Sequence, residues 1–301
     1  MEYEKGLFLY NGASGEGEVE QKLTSTLPIL VQHVKELVTI HTSSKEEFID
    51  ELKSRGQEVD IVYLLGGDGT IHDAVNALAP LEKRPVVAIL PGGTCNDFSR
   101  MLGMPQNLED AARSILNGRQ APVDVAQANE RYFVNFWGIG MITEASENID
   151  QRQKKRFGPL SYFISAFKTI QQATPFSFRM VLNDGEQVLD EEAVLVLVLN
   201  GRYIGTRQIP LPHNYVNDGK LDVLIVKNST LKSFQELLSL NRPWKREEEL
   251  QDIFYMQADS VTIETKDEMQ VDTDGEIHTS TPSEMVMLRN HMSFIFADEP
   301  S

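Results

Sequence analysis

The stretch that most constrains this chain is Leu65-Gly66-Gly67-Asp68-Gly69-Thr70. It follows Val59-Asp60-Ile61-Val62-Tyr63-Leu64, a short apolar run with β-branched residues that reads as a buried strand. It precedes Ile71 to Leu78, which reads as a short helix closed by Pro80. A glycine-rich turn between strand and helix can bring bare backbone N–H groups against a phosphate. A carboxylate inside such a turn repels phosphate unless a divalent cation lies between them. Asp68 therefore points to a metal-nucleotide site rather than a simple anion nest. Thr70 is expected to cap the helix, with Asp73 completing a variant of the capping box. A single glycine pair would fit a plain tight turn equally well, but three glycines around one Asp favour phosphate.

The flanking sequence predicts strands at Gly6–Tyr10, Leu37–Ile40 and Pro85–Leu90. Helices are expected over Glu18–Gln32, kinked at Pro28, and over Lys45–Arg55. Ser43 and Ser44 serve as caps for the second helix, with Glu46 and Glu47 placed for a capping box and Gly56 at the stop. This β-α alternation implies a doubly wound parallel sheet with helices on both faces. Such sheets bind ligands at the carboxyl ends of their strands, where Asn11-Gly12-Ala13-Ser14-Gly15 forms a first glycine turn. The fourth strand runs into Pro91-Gly92-Gly93-Thr94-Cys95-Asn96-Asp97-Phe98-Ser99-Arg100. Thr94 offers a hydroxyl at a helix start, and Asp97 is a second carboxylate that can share a hydrated Mg²⁺ with Asp68. Arg100 reads as an ion-pair partner and Cys95 as a small buried residue. A helix follows over Leu108–Asn117, ended by Gly118, and Val123-Asp124-Val125 opens a β region.

From there short strands dominate: Tyr132–Phe136, Phe176–Leu182, Ala193–Leu199, Lys220–Val226, Ser260–Glu264, Met285–Leu288 and Met292–Phe296. Turn signals such as Asn183-Asp184-Gly185 and Asn217-Asp218-Gly219 separate some of them. A β-sandwich second domain is expected, interrupted by helices at Ser161–Gln172 and Leu231–Leu240. The expected domains are 1–125 and 126–301, with the extreme C-terminus free to return to the first. A net charge of −17 argues against nucleic acid as a partner. The lone Cys95 rules out an intramolecular disulfide, and no apolar run nears the roughly 20 residues of a membrane span. The N-terminal residues lack a signal-peptide pattern, so a cytoplasmic location is expected. Arg152-Gln153-Lys154-Lys155-Arg156 reads as a site for anionic headgroups or a triphosphate, or as a solvated loop. Trp244 reads as an interfacial anchor or an ordinary surface turn.

Gly66–Thr70 resembles the GGDGT signature shared by diacylglycerol kinases, sphingosine and ceramide kinases, and NAD kinases. Pro91–Arg100 resembles the P-x-G-T-x-N-D-F-A-R element of bacterial diacylglycerol kinases, whereas NAD kinases carry a different Asn-Glu segment there. Ser99, Asp73 and Ala77 depart slightly from the family pattern. The resemblance runs through the chain in motif order. It implies an NAD kinase-like α/β domain followed by a β-sandwich, with the active site in the cleft between.

The resemblance further implies ATP bound by Asn11, Gly12, Ala13, Ser14, Gly15, Thr42, Gly66, Gly67, Asp68, Gly69, Thr70, Ile71, His72, Asp73, Gly93, Thr94 and Asn96. Asp68, Asp97 and Asp124 would organise Mg²⁺ through water, with Asp68 acting in catalysis. A structural Mg²⁺ would be held by the Tyr215 and Lys220 carbonyls and the Asp218 side chain. In Asp272-Thr273-Asp274-Gly275-Glu276 the family's proton acceptor maps to Glu276, with Asp274 beside it; His278 receives no role. The expected function is phosphoryl transfer from ATP to a lipid hydroxyl, most simply that of diacylglycerol, during transient contact with a membrane surface. Phosphatidylglycerol, a sphingoid base and a polyprenol offer equivalent hydroxyls. An NAD kinase-like enzyme with a soluble acceptor and a non-catalytic nucleotide- or lipid-binding regulator are the alternatives. Exposed strand edges leave a homodimer open.

Overall fold

The computed structural model describes residues 3–11, 16–143, 174–209, 211, 216–228, 230, 233, 236 and 251–297. Gly12–Gly15, the 152–157 basic cluster, the helix expected over 161–172, Tyr215 and Trp244 lie outside the described residues, as does the 231–240 helix apart from Ser233 and Glu236. The chain divides into two compact units, Met1–Val123 with Asn290–Ser301, and Asp124–Arg289.

The first unit alternates strand and helix in the order β1 (Tyr3–Asn11), α1 (Glu16–Leu30), β2 (Val34–Thr42), α2 (Lys45–Arg55), β3 (Ile61–Gly66), α3 (Asp68–Leu78) and β4 (Val86–Pro91). Two helices follow, α4 (Asp97–Met101) and α5 (Leu108–Asn117). The strands pair in parallel in the order β2-β1-β3-β4, and Ser293 and Phe294 of the chain's last strand extend the sheet beside Val86 and Val87. Residues 61–64 of β3 are buried throughout, which explains why the run lacks polar alternation. From β1 the chain steps to β2 on one side; from β3 it steps to β4 on the other. Right-handed crossovers then put α1 on one face and α2 and α3 on the opposite one. The packing agrees, α1 against α5 and α2 against α3. The reversal of direction falls between β1 and β3, at the crevice where open α/β sheets bind ligands.

Local rules explain most boundaries here. Ser44 Oγ accepts from the Glu47 N–H, and the Glu47 carboxylate accepts from the Ser43 N–H, a capping box displaced by one residue. Gly56 ends α2 without a left-handed turn, at φ −56°. A Cβ there would lie 2.5 Å from the Leu52 carbonyl and 2.7 Å from Leu78, so glycine is required for closeness to α3. The α3 helix starts at Asp68, before the expected Ile71, with Gly67 as its N-cap. Thr70 therefore lies inside the helix and caps nothing, and Asp73 forms no capping box.

The strand β5 (Arg119–Ala128) runs from the first unit into the second, which continues with β6 (Arg131–Phe133), β7 (Phe136–Gly140), β8 (Phe176–Leu182), β9 (Gln187–Ala193) and β10 (Leu195–Leu199). A small hairpin, β11 (Tyr203–Ile204) and β12 (Arg207–Gln208), precedes β13 (Leu221–Val226). The remaining strands are β14 (Ile253–Ala258), β15 (Ser260–Thr265), β16 (Gln270–Thr273), β17 (Glu276–Ser280) and β18 (Ser283–Phe296). One antiparallel sheet runs β14-β13-β10-β7-β16-β17, and a second joins β9, β8, β15 and the first part of β18. Their facing side chains recur at every second residue: Phe178, Met180 and Leu182 from one sheet against Trp137, Ile139, Val196, Val198, Val223 and Ile225 from the other. The opposite face of the first sheet buries Leu195, Leu197, Leu199, Leu224 and Val226. Both faces are thus dry, which is why β10 reads as an unbroken apolar run and β13 is interrupted only at Asp222.

Four expected strands are divided differently. Tyr132–Phe136 splits into β6 and β7, and Ala193–Leu199 into the end of β9 and β10. Met285–Leu288 and Met292–Phe296 form the single strand β18. The polar residues between the last two find partners: Arg289 donates to Asp259, and His291 bonds the Ala79 carbonyl.

In the first unit His33 is 3% exposed, and its Nδ1 lies 3.1 Å from the Tyr63 hydroxyl. Burial pushes the His33 pKa down and the Tyr63 pKa well up, so both are neutral in the fold. Unfolding restores the ordinary imidazole pKa of about 6.5, so the unfolded chain binds the extra proton first and stability falls as pH drops below that value. Replacing His33 with Asn should remove this part of the acid sensitivity. Melting temperatures of both proteins between about pH 7 and pH 5 should converge as pH falls; parallel curves would contradict it.

Candidate active site

At the carboxyl edge of the parallel sheet two glycine turns lie back to back. Register places Gly66 of β3 beside Pro91 of β4, and the Gly92 N–H donates to the Gly66 carbonyl at 2.8 Å. A Cβ on Gly93 would fall 2.5 Å from the Gly67 Cα, and one on Gly67 would fall 2.9 Å from the Gly93 Cα. No side chain fits between these backbones. Asn96 completes the second turn from a left-handed conformation, φ 53°. Its Oδ1 accepts from the Gly93 N–H at 2.8 Å, and its Nδ2 donates to the Gly93 carbonyl at 3.0 Å. Asn96 and the Gly93 amide, both expected to meet nucleotide, are thereby committed to the turn itself. Thr94, between them, is exposed and available.

Asp68 sits in the first turn of α3, where a carboxylate suits the helix dipole. Its Oδ1 also accepts from the Phe98 N–H at 3.3 Å, in the first turn of α4. The N-cap of α4, Asn96, makes no side-chain cap bond because its amide faces back to Gly93, so Asp68 supplies that acceptor from the neighbouring helix. Asp97 is buried beside it at the start of α4. Arg100, expected in an ion pair, donates from Nε to the Cys95 carbonyl instead. At the other end of the edge, buried Thr42 donates to the Tyr10 carbonyl, tying the ends of β2 and β1, where Asn11 pairs with Thr42. His72 is buried, with Asn76 Nδ2 bonded to its carbonyl, so its ring faces the interior rather than a ligand. Ile71 is likewise a core residue.

In the second unit the expected acidic motif resolves into three roles. Asp274 and Gly275 have φ of 55° and 93° and connect the paired residues Thr273 and Glu276, the two-residue Asp-Gly hairpin turn. Asp272 Oδ1 accepts the Gly275 N–H. Asp274, 8% exposed, accepts from three successive backbone amides, those of Val134, Asn135 and Phe136, at 3.2, 2.9 and 3.0 Å. Its carboxylate is a structural anchor for the β6–β7 link. Glu276 has a side chain 40% exposed, and His278, two residues along the same strand face, brings Nε2 to 3.8 Å from its Oε2. Sequence reasoning passed over His278, though the period of two in a strand was the available signal.

Asp124 is buried and accepts the Gly219 N–H at 2.6 Å, while its own N–H donates to the Val216 carbonyl. It therefore pins the 216–219 turn. Asn200 supports it by donating to the Asp124 and Val134 carbonyls. In the same turn Asp218 Oδ1 accepts the Lys220 N–H. The Lys220 ammonium pairs with Asp259, and this bond, helped by Arg289, holds the Asp259 pKa below the usual carboxylate range.

Comparison with known proteins decides the family. Residues 5–128 match the model of the diacylglycerol kinase catalytic domain, and residues 138–295 that of the YegS C-terminal NAD kinase beta sandwich-like domain. The chain belongs to the diacylglycerol kinase family. A protein of Staphylococcus carnosus (strain TM300) named "Putative lipid kinase" is 28% identical over 98% of each chain. A crystal structure from Bacillus anthracis str. Sterne, titled as that of a "putative diacylglycerol kinase", is 39% identical and covers 98% of this chain and 96% of its own, with a TM-score of 0.88. An ATP complex of an NAD kinase from Archaeoglobus fulgidus, 12% identical over 98% of this chain and 93% of its own, has a TM-score of 0.50 and shares the fold.

Within this kinase family the acidic residues can be tested against Mg²⁺. Among the described residues no three His, Cys, Asp or Glu side chains gather closely enough to hold an ion. Asp124 is occupied with Gly219. Asp68 and Asp97, two hard oxygen donors at adjacent helix starts, do fit an ion that takes its other ligands from phosphate and water. Asp218 Oδ1 accepts the Lys220 N–H, and Tyr215 of the same loop lies outside the described residues.

Two substitutions separate structure from chemistry. Asp274→Ala strands three buried amides and should lower stability by about 2 kcal/mol or more. Gly93→Ala forces two backbones apart and should also lower the melting temperature. Calorimetry reads both, and an Asp274→Ala protein as stable as wild type would overturn its anchoring role.

Proposed function

We propose that this diacylglycerol kinase family member transfers the γ-phosphoryl group of ATP to a lipid hydroxyl, converting diacylglycerol to its phosphate monoester, phosphatidic acid. The observation that carries this reading is the division of labour in the acidic hairpin. Asp272 and Asp274 accept backbone amides, and Glu276 is the member left with a partly exposed carboxylate at the strand start.

The edge of the parallel sheet receives the nucleotide. Thr94 and the amides of the Gly67–Asp68–Gly69 turn at the start of α3 face the phosphates, with the helix dipole favouring negative charge there. Asp68 and Asp97 are the carboxylates placed to hold the Mg²⁺ that accompanies ATP, an ion that offsets phosphate charge when bound. The lipid hydroxyl gives its proton to a Glu276 carboxylate oxygen as its own oxygen bonds to the γ-phosphorus. The bond to the β-phosphate oxygen breaks and ADP leaves; Glu276 then returns the proton to water.

No helix among the described residues is long and apolar enough to cross a membrane, so the reading requires the protein to meet its lipid at the membrane surface. Diacylglycerol is favoured over other lipid alcohols by the family match and the similar Bacillus protein.

Label transfer from MgATP to diacylglycerol, phosphatidylglycerol, sphingosine and a polyprenol in mixed micelles, with NAD as soluble control, tests the reading. Label should appear on diacylglycerol and fall by roughly 10²-fold or more in Glu276→Gln. The variant should retain the wild-type melting temperature. Label on NAD instead, or Glu276→Gln within a few-fold of wild type, would overturn it.

A further inference from the structure

We infer that Lys45 is a phosphate-contacting residue of the nucleotide site, held in place by Asp73. This inference rests on the ATP-dependent reading above. Lys45 Nζ lies 2.7 Å from Asp73 Oδ1, joining the first residue of α2 to α3. The side chain of Asp73 is 15% exposed and that of Lys45 43%, so the carboxylate is set into the fold and the ammonium lies over it, open to solvent.

Three features make this pair unlike an ordinary surface bridge. The first is position. Lys45 follows the end of β2 by three residues, and Asp73 lies five residues after Asp68, about 7.5 Å along the axis of α3. Lys45 therefore stands at the carboxyl edge of the sheet, and Asp73 meets it from about one and a half turns into α3. The second is that Lys45 breaks a local rule. A cation at the first position of a helix opposes the dipole, whereas the next two residues, Glu46 and Glu47, obey it. Departures of that kind concentrate at functional sites. The third is charge. The described carboxylates at this edge include Asp68, Asp73 and Asp97, in a chain of net charge −17, yet a triphosphate must approach them. An ammonium has three donors; Asp73 takes one and leaves donors for phosphate oxygens.

Calorimetric binding of ATP, ADP and AMP to the full chain tests this, with Lys45→Met, Lys45→Arg and Asp73→Asn compared to wild type. Lys45→Met should weaken ATP and ADP about tenfold, as for a lost charged hydrogen bond, and leave AMP within about twofold. Lys45→Arg should restore most of the affinity, and Asp73→Asn should give an intermediate loss. A structural role alone would change the three nucleotides equally or move only the melting temperature. ATP binding unchanged in Lys45→Met overturns the inference alone. A wild-type protein that binds no ATP overturns the kinase reading and this inference together.

Discussion

The first unit depends on a contact with no side chains in it. Gly67 and Gly93 bring the carboxyl ends of β3 and β4 together so closely that a Cβ on either would meet the other's backbone. That closeness sets the positions of α3 and α4, which begin at Asp68 and Asp97. It lets the Asp68 carboxylate reach across to the Phe98 amide. It also explains why Asn96 turns back on Gly93 from a left-handed conformation, since the tight second turn needs an acceptor and a donor that no neighbouring strand supplies. The carboxyl edge of the sheet is thus assembled from backbone, and its acidic residues are oriented by helix starts.

The second unit uses a related device with carboxylates. Asp274 gathers three amides of the β6–β7 link, and Asp124 takes the amide of Gly219. Each removes an unpaired donor from a dry interior, where an unmet hydrogen bond costs on the order of 1–3 kcal/mol. The consequence for chemistry is selection. Some carboxylates of this acidic chain are spoken for by the backbone, whereas others, such as Glu276, remain partly open. The charge of the residues therefore says less about their role than the amides around them.

Much of this was legible beforehand. The β-α alternation, the capping of α2 by Ser44, the span of α5 over Leu108–Asn117 and β8 over Phe176–Leu182 all follow from patterns within a dozen residues. The glycine stretch marked the carboxyl edge of the sheet because strand, glycine and helix signals adjoin there. What failed was also local in origin. Thr70 is a good capping residue by type, but β4 and its turn hold Gly67 so that the helix starts earlier. Arg289 and His291 read as a break between strands, yet partners far along the chain, Asp259 and Ala79, let β18 pass straight through.

By itself the sequence determined the order of elements, the faces they bury and the chemical kinds of residue at each strand end, because these depend on periodicity and short-range hydrogen bonds. Only the tertiary structure decided which acids are structural and which are open, and that Lys45 meets Asp73. Those outcomes turn on amides and ammonium groups brought close by topology, across separations such as the 140 residues between Val134 and Asp274. No short-range pattern carries that information.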